Sequence, residues 1–394
     1  MNGRLAITAG IVLAPPPESG AEVCGELSEA TVYIEDGKIA NVGPGIRVPR
    51  SARQIQAPDY ILAPGFIDMH VHGAGGHDLM EGSAEAFTTV SRTLARNGTT
   101  SFYATTVTAG IPHTVQALER LGAWIGGPPT EGGAQPLAIH MEGPFISHKR
   151  LGVHPPQNVL PPTAAQFQEF YQAAGGHLRI LTMAPEVPGA LEVMDAAAAQ
   201  GVRVAMGHTD ATFAEAQRAI SLGVRHAVHT FNAMRPFSHR DPGVIAATLL
   251  DERVAAELIA DGVHVDIAAM RLLLKAKGPE GVMLVTDGVA PLGMPEGRYR
   301  LGQLDVEISG GAVRSLDGIL AGSILTLDHA MRNLKACTAL PVRDLVRMTT
   351  WNQAKLMGIT KQKGVIAPGA DADLVLLDRD LNVKQVFVRG KLIE

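Results

Sequence analysis

The chain has 394 residues, of which 46% are hydrophobic and 19% are charged. This length exceeds what one hydrophobic core usually carries, so we predict one large domain and a smaller one. A formal net charge of −5 provides no basic surface for nucleic acid or an anionic membrane, and we expect neither as a partner. No apolar run in the sequence approaches the roughly 20 residues that a membrane-spanning helix requires.

The cysteines and the N-terminal segment favour a cytoplasmic protein. Cys24 and Cys337 are the two cysteines, and their spacing fits neither a disulfide framework nor a Cys-x-x-Cys metal site. We therefore expect two unrelated free thiols in a reducing compartment. The apolar segment 5–13 is followed by three prolines, 15–17, where a signal peptide would have small residues for cleavage. This pattern is typical of a strand that leads into a turn.

The two ends of the chain share one pattern. Residues 31–43 are typical of a strand, an Asp-Gly turn and a second strand. Residues 372–377 and 383–392 are again short strands with a Gly turn. Because neither set could bury a core alone, we predict that both termini form one small β-sandwich from residues 1–62 and 361–394.

The remaining residues, 63–360, alternate short apolar runs with helical stretches such as 190–200 and 211–222. This alternation is typical of β–α units and a parallel sheet, and therefore of an α/β fold. Eight strands are predicted, which is the number in a (β/α)₈ TIM-type barrel. They span residues 65–72, 99–105, 137–142, 178–183, 202–208, 226–231, 254–260 and 282–287.

Polar side chains terminate five of these strands at their carboxyl ends, where the active sites of such barrels lie. His70 and His72 end the first strand, and alternate residues of a strand share a face. Taken alone, this pair could equally be two surface histidines. Four other strands also end in an imidazole or a carboxylate, at Glu142, His208, His229 and Asp287. Because all five strand ends lie on the same rim of the barrel, these six residues are predicted to form a metal site.

The combination of ligands indicates the chemistry. Histidines with carboxylates suit Zn²⁺ or Fe²⁺, whereas Mg²⁺ or Ca²⁺ prefers an all-oxygen site. Such an ion lowers the pKa of a bound water from about 15.7 to about 7 and polarises a carbonyl. A carboxylate must then pass a proton from the water to the leaving group, and Asp287 is the best candidate. The residues predict hydrolysis of a C–N or ester bond.

Several motifs resemble known proteins. Residues 64–73, which contain the His-x-His pair, resemble the amidohydrolase superfamily, in which a metal-binding barrel is joined to a terminal β-sandwich. More specific segments resemble the N-acetylglucosamine-6-phosphate deacetylase family and occur in its order over nearly the whole chain. These segments are His-Met-Glu-Gly-Pro-Phe at 140–145, Gly-His-Thr-Asp-Ala at 207–211, His-Thr-Phe-Asn-Ala-Met at 229–234, Asp-Gly-Val-His-Val-Asp at 261–266, Leu-Val-Thr-Asp-Gly at 284–288 and Leu-Ala-Gly-Ser at 320–323.

The resemblance implies metal-dependent removal of the acetyl group of N-acetylglucosamine 6-phosphate in amino-sugar metabolism, giving glucosamine 6-phosphate and acetate. An activated water attacks the acetyl carbonyl, with Asp287 as acid and base. Glu142, His208 and His229 are implied to hold the principal divalent ion, zinc or iron. Some members lack the two histidines of the first strand. Their presence here implies one or two ions per subunit, with Glu142 able to bridge them.

The resemblance also implies the substrate contacts. His154 helps to polarise the acetyl carbonyl and is a second catalytic candidate. In this family part of the phosphate-binding set comes across a dimer interface, so a homodimer is implied. The implied substrate-binding residues are Val153, His154, Asn232, Ala233, Arg240, His264, Leu320, Ala321 and Gly322.

The residues after the sixth strand agree with a phosphate ligand. A dianion requires positive charge and forked donors, and Arg235, His239 and Arg240 follow this strand closely. Arg235 stands between Met and Pro where many family members have these two residues adjacent. The alignment of 235–239 therefore stays open, and a solvated loop charge is the simpler interpretation of Arg235.

Three alternative functions stay open from the sequence. A deacetylase of N-acetylgalactosamine 6-phosphate would use the same site, because Arg240 and His264 carry no information about the C4 hydroxyl. The same two residues disfavour a hydrolase of neutral cyclic amides. A non-catalytic relative would have lost ligands, and this chain has lost none of those expected.

Overall fold

The structure is a computed structural model that describes residues 3–14, 25–301 and 304–394. Cys337 is a free thiol and is partly buried, as expected from the sequence. Cys24 and the turn predicted at 15–17 lie outside the described residues.

The chain begins with four strands: β1 (Arg4–Ala14), β2 (Gly25–Glu35), β3 (Lys38–Pro44) and β4 (Arg53–Pro64). The predicted turn between β2 and β3 is present, with positive φ at Asp36 and Gly37. β4 has no counterpart among the predicted strands. Its first seven residues include Gln54, Gln56, Pro58 and Asp59, which are not typical strand residues.

The barrel strands follow. The first is β5 (Phe66–Val71), and it continues into a small hairpin of β6 (Gly73–Ala74) and β7 (His77–Asp78). The other seven are β8 (Thr99–Thr106), β9 (Gln135–Glu142), β10 (Leu178–Met183), β11 (Arg203–Met206), β12 (His226–Ala227), β13 (Ala255–Leu258) and β14 (Val282–Leu284).

These eight strands form one parallel sheet in the order β5-β8-β9-β10-β11-β12-β13-β14. The ring closes through the backbone just beyond β14. Asp287 N donates to His70 O at 2.9 Å, and His72 N donates to Gly288 O at 2.7 Å. The predicted (β/α)₈ barrel is confirmed, and its closure brings the first and last predicted ligands side by side.

Helices cover the outside of the barrel. α1 (Ala84–Arg96) begins at Ser83, whose hydroxyl accepts from Ala86 N, and it buries Phe87, Val90 and Leu94 at helical spacing. The other helices of the described chain are α2 (Ile111–Ile125), α3 (Ala164–Ala173), α4 (Ala190–Ala199), α5 (Phe213–Ser221), α6 (Gly243–Leu250), α7 (Ile267–Lys277), α8 (Leu327–Cys337), α9 (Val342–Arg347) and α10 (Trp351–Met357). Over the described residues, no helix combines the length and the apolar character that crossing a membrane requires.

An antiparallel sheet that the sequence analysis does not predict is inserted between β14 and α8. Its strands are β15 (Gly297–Leu301), β16 (Leu304–Ser309) and β17 (Ala312–Ser315). Val289, which follows the last barrel strand, packs with Leu301, Val306 and Ala321 in a small separate core. The insertion therefore brings apolar residues to the mouth of the barrel.

The chain ends with β18 (Leu374–Leu377), β19 (Val383–Val388) and β20 (Lys391–Leu392). They extend the N-terminal strands into one seven-stranded sheet, β20-β19-β18-β4-β1-β2-β3. A small β domain built from both termini is therefore confirmed, whereas the boundaries 1–62, 63–360 and 361–394 stay predictions. Lys363, which is buried, bonds Asp371 and Asp373 of the terminal segment and Gln135 of the barrel at 2.6–2.9 Å.

Candidate metal centre

The six predicted ligands meet at the carboxyl end of the barrel strands. The Glu142 carboxylate lies at the centre, with its oxygens 2.9–3.4 Å from a ring nitrogen of each of five histidines. Asp287 Oδ1 lies 3.2 Å from His72 Nε2 and 3.6 Å from His70 Nε2. The five histidines around Glu142 are His70, His72, His154, His208 and His229.

The donor set fits a divalent metal ion. Ligand atoms bound at about 2.0–2.2 Å in a tetrahedral arrangement lie roughly 3.4 Å apart, which agrees with the separations around Glu142. His70 Nε2 is fully buried and has no hydrogen-bond partner among the described residues. Candidate ligand atoms form three overlapping groups: His70, His72 and Asp287; His70, Glu142 and His229; and Glu142, His154 and His208.

Three of the candidate ligands lie just beyond their strands in left-handed backbone. The φ angles are +46° at His208, +28° at His229 and +48° at Asp287. Strands cannot continue through such residues, so the predicted ends at 208, 231 and 287 are too long. The unfavourable backbone turns each side chain toward the barrel mouth, and such strain is concentrated at functional sites.

Hydrogen bonds fix which nitrogen of each ring can bind a metal. His208 Nδ1 lies 3.0 Å from Arg150 O, and His229 Nδ1 lies 3.2 Å from Asn232 O. A carbonyl oxygen only accepts, so both rings carry their proton on Nδ1 and present Nε2 to the centre. The main-chain carbonyls thus leave Nε2 of both rings available to bind a metal ion.

His154 has the opposite arrangement. Its Nδ1 accepts a long 3.4 Å hydrogen bond from Thr108 N, which places the proton on Nε2, the atom that faces Glu142 at 3.4 Å. Burial and the nearby charge of His208 lower the pKa of His154 to about 4, so the ring is neutral. Although His154 groups with Glu142 and His208 by distance, its tautomer suits a hydrogen-bond donor better than a ligand.

Both carboxylates of the rim have a lowered pKa, which favours their ionised forms. Burial alone would raise the pKa of Glu142, but the charges of His70 and His208 outweigh it and hold the pKa well below its usual value. Burial likewise opposes ionisation of Asp287, but its hydrogen bond to His72 and the charges of His70 and His72 lower its pKa. An ionised Glu142 suits a ligand, and an ionised Asp287 suits a proton acceptor.

A cavity of about 210 Å³ lies beside this rim. Most of the predicted substrate-binding residues line it, and His264 among them donates through Nδ1 to Asp261 Oδ2 at 2.6 Å. Ala321 is buried in the small core next to β17, and Arg240 is exposed on the loop before α6. The predicted contacts that line the cavity are Val153, His154, Asn232, Ala233, His264, Leu320 and Gly322.

Comparison with known proteins agrees with this geometry. The model of the amidohydrolase family matches residues 61–393. The chain belongs to the amidohydrolase family. The resemblance inferred from the sequence motifs is therefore confirmed, and with it the metal-dependent class of the centre.

Relatives of this amidohydrolase are named for amino-sugar phosphates. This chain is 36% identical over 368 residues to the N-acetylglucosamine-6-phosphate deacetylase of Lysinibacillus sphaericus, and the match covers 93% of this chain and 94% of the relative. It is also 36% identical over 370 residues to the N-acetylgalactosamine-6-phosphate deacetylase of Escherichia coli O157:H7, covering 93% and 96%. The solved structure of a mutant N-acetyl-D-glucosamine-6-phosphate deacetylase from Mycobacterium smegmatis, in complex with N-acetyl-D-glucosamine-6-phosphate, has a TM-score of 0.90 at 33% identity, covering 99% of both chains.

Arg235, His239 and Arg240 of this amidohydrolase do not line the cavity. Arg235 pairs with Asp241 at 2.6 Å and with Asp210 at 3.2 Å, and His239 is exposed. Of the described residues that line the cavity, none is an arginine or a lysine. The charge of Arg235 is therefore neutralised by carboxylates of its own chain, and any guanidinium contact to a ligand must come from another group.

The amidohydrolase has a functional candidate that the sequence analysis missed. Glu257 in β13 is fully buried and contacts the rings of His70 and His226. The signal was present in the sequence, since Glu257 is the single charged residue within the predicted strand 254–260. A lone carboxylate in an apolar strand requires a buried partner, because an unpaired buried charge is very costly.

Proposed function

We propose that this amidohydrolase removes the acetyl group of N-acetylglucosamine 6-phosphate, giving glucosamine 6-phosphate and acetate. The observation that carries the proposal is the convergence of two ionised carboxylates and four histidines around one point beside a cavity. The names of its relatives, which are similar over more than nine tenths of the chain, support the substrate.

The proposed cofactor is Zn²⁺ or Fe²⁺, with one or two ions per subunit. When bound, the metal supplies Lewis-acid activation of the attacking water and of the acetyl carbonyl. Zn²⁺ and Fe²⁺ are favoured because the donors combine imidazole nitrogens with carboxylate oxygens. Glu142, His208 and His229 would hold the first ion, and His70, His72 and Asp287 would hold the second.

The chain supplies the proton transfers. In the proposed mechanism Asp287, ionised beside His72, accepts the proton of the attacking water and delivers it to the departing nitrogen. His154, neutral and protonated on Nε2, donates a hydrogen bond to the acetyl oxygen as negative charge develops there. The burial of both groups strengthens these interactions because little water competes for them.

The proposed phosphate contacts are Asn232, Ala233, His264 and Arg240. Since the cavity of one subunit lacks an arginine or lysine among its described lining residues, we propose that a second copy of the chain contributes Arg240. Large exposed apolar side chains on the same loop and on the nearby helices α6 and α7 support this homodimer, namely Phe237, Leu250, Ile267 and Leu272. The cytoplasmic location stays a prediction.

An amine-release assay tests the function. We expect N-acetylglucosamine 6-phosphate to be hydrolysed at least about tenfold more efficiently, in kcat/KM, than its galacto epimer or the unphosphorylated sugar. The Asp287→Asn protein, prepared identically, measures the background. A preference for the galacto epimer would instead favour the second candidate, N-acetylgalactosamine-6-phosphate deacetylation, which the Escherichia coli relative supports. Turnover of a neutral cyclic amide alone would contradict both.

Arg240→Ala should raise KM for the phosphorylated sugar much more than it lowers kcat. The loss of a charge-assisted hydrogen bond costs about 1.5–3 kcal/mol, or roughly 10- to 150-fold in kcat/KM. Ser238→Ala is the matched control, because it changes an exposed residue of the same loop and should alter kcat/KM by about twofold or less. If Arg240→Ala still distinguishes phosphorylated from unphosphorylated sugar as well as wild type does, another group binds the phosphate.

A further inference from the structure

Glu257 is a fully buried carboxylate beneath the metal rim. Its Oε2 accepts from His70 Nδ1 at 3.0 Å and from the main-chain nitrogen of His229 at 3.1 Å. Its Oε1 accepts from His226 Nε2 at 2.7 Å. Three donors therefore satisfy the carboxylate, and one of them belongs to the ring of a candidate metal ligand.

The contact with Glu257 determines which nitrogen of His70 carries the proton. A carboxylate only accepts hydrogen bonds, so Nδ1 carries a proton and Nε2 is the nitrogen that is left to bind a metal ion. Nε2 then faces two further acceptors, Glu142 Oε1 at 3.3 Å and Asp287 Oδ1 at 3.6 Å. The two carboxylates repel each other, and a cation among these atoms removes the repulsion.

Glu257 contacts the ring of His70, whereas the rings of the other two candidate ligands discussed above contact main-chain carbonyls. His208 and His229 donate through Nδ1 to the main-chain carbonyls of Arg150 and Asn232. A carboxylate partner increases the basicity of an imidazole ligand and fixes its orientation. The ring that receives this partner is His70, which groups with His72 and Asp287.

We propose that Glu257 is a positioning residue for a second metal ion: it holds His70 in the Nδ1–H form and directs Nε2 toward the ion that His72 and Asp287 also bind. This inference rests on the metal-dependent function proposed above. Glutamine at this position keeps an oxygen that accepts from His70 Nδ1 and from the main-chain nitrogen of His229, but it carries no negative charge. The His70 ring therefore loses the carboxylate that increases its basicity, and Nε2 becomes a weaker metal ligand.

The test compares zinc binding by the wild-type chain and by Glu257→Gln. Metal-free protein is titrated with Zn²⁺ against a chromophoric chelator, and two binding steps are expected in wild type. His72→Ala identifies which step belongs to the second ion. In Glu257→Gln we expect that step to weaken about 10- to 100-fold and the other step to change by about twofold or less.

Asp68→Asn is the matched control. Asp68 is also a fully buried carboxylate next to His70, but it accepts from the main-chain nitrogen of His70 at 3.2 Å and from the Thr286 hydroxyl at 2.6 Å. It forms no hydrogen bond with the ring, so both zinc affinities should match those of wild type. An equal weakening of the second step in Asp68→Asn would mean that any buried carboxylate matters, and it would overturn the assignment to Glu257.

A second measurement does not depend on the variant's ability to fold. Long-range ¹H–¹⁵N spectra of the zinc-loaded wild-type protein should show His70 protonated on Nδ1 and metal-bound through Nε2. A proton on Nε2, unchanged zinc affinities in Glu257→Gln, or a wild-type protein that holds a single zinc ion would each overturn the inference. A single ion would leave the proposed hydrolysis standing, whereas a wild-type protein that binds no metal would overturn the proposed function itself.

Discussion

Asp287→Asn should lower kcat about 10²- to 10⁴-fold and leave KM for the phosphorylated sugar nearly unchanged, because general acid–base catalysis contributes rate factors of this size. The amide has the shape of the carboxylate but cannot accept the proton of the attacking water. Its backbone position, at φ +48° next to His72, tolerates asparagine better than most residues. Steady-state kinetics with N-acetylglucosamine 6-phosphate measures the change.

Metal content must be measured in the same Asp287→Asn sample, because Asp287 is also a candidate ligand and an empty centre would mimic a catalytic defect. His72→Ala provides the comparison, since it removes a neighbouring ligand and leaves the carboxylate. If Asp287→Asn holds its metal and turns over within about tenfold of wild type, the proton transfer belongs elsewhere, with His154 the next candidate.

Exhaustive chelation should abolish hydrolysis, and Zn²⁺, Fe²⁺, Co²⁺ or Mn²⁺ should restore it. The purified protein should carry about one to two equivalents of such an ion per subunit, because the rim supplies the donors for one or two transition-metal sites. The physical reason is the buried cluster in which Glu142 Oε1 lies 3.2 Å from His208 Nε2 and 2.9 Å from His229 Nε2. Metal analysis together with the amine-release assay checks the prediction.

Thermal unfolding gives the chelation experiment a readout that is independent of activity. An ion that binds the folded chain alone stabilises it by RT ln(1 + [L]/Kd), or about 2.7 kcal/mol at 100 times Kd. The melting temperature should therefore rise with zinc concentration in wild type and much less in a Glu142→Ala protein. Full activity in a sample shown to be free of metal would contradict metal-dependent hydrolysis.

The sequence by itself determined the outline of the fold. The hydrophobic alternation that predicts eight strands and the helices between them depends on residues close together in the chain, and the barrel matches it with small shifts at the ends. The pairing of Asp36 and Gly37 in a turn is also a local property. β4 and the sheet of β15, β16 and β17 were not predicted. Polar residues, such as Gln54 and Gln56 in β4, interrupt the hydrophobic pattern that indicates a strand.

The sequence also predicted the candidate ligands that the structure brings together. Parallel strands in a barrel place their carboxyl ends on one rim. Residues at five strand ends could therefore be assigned to one site from the sequence alone. His70 and His72 could also be paired from the sequence, because alternate residues of a strand point to the same face of the sheet. The positive φ angles of His208, His229 and Asp287 were not predicted, because residues other than glycine rarely adopt this conformation.

The tertiary structure alone decided how these groups are prepared for chemistry. Glu257 and His70 are 187 positions apart in the sequence, and only the closed barrel brings their side chains together. The tautomer of His154 depends on a main-chain N–H from Thr108, and the charge of Arg235 is paired with Asp210 and Asp241. Hydrogen bonds and ion pairs act over about 3 Å, so the contacts that fix protons and charges belong to the folded chain and not to any local pattern.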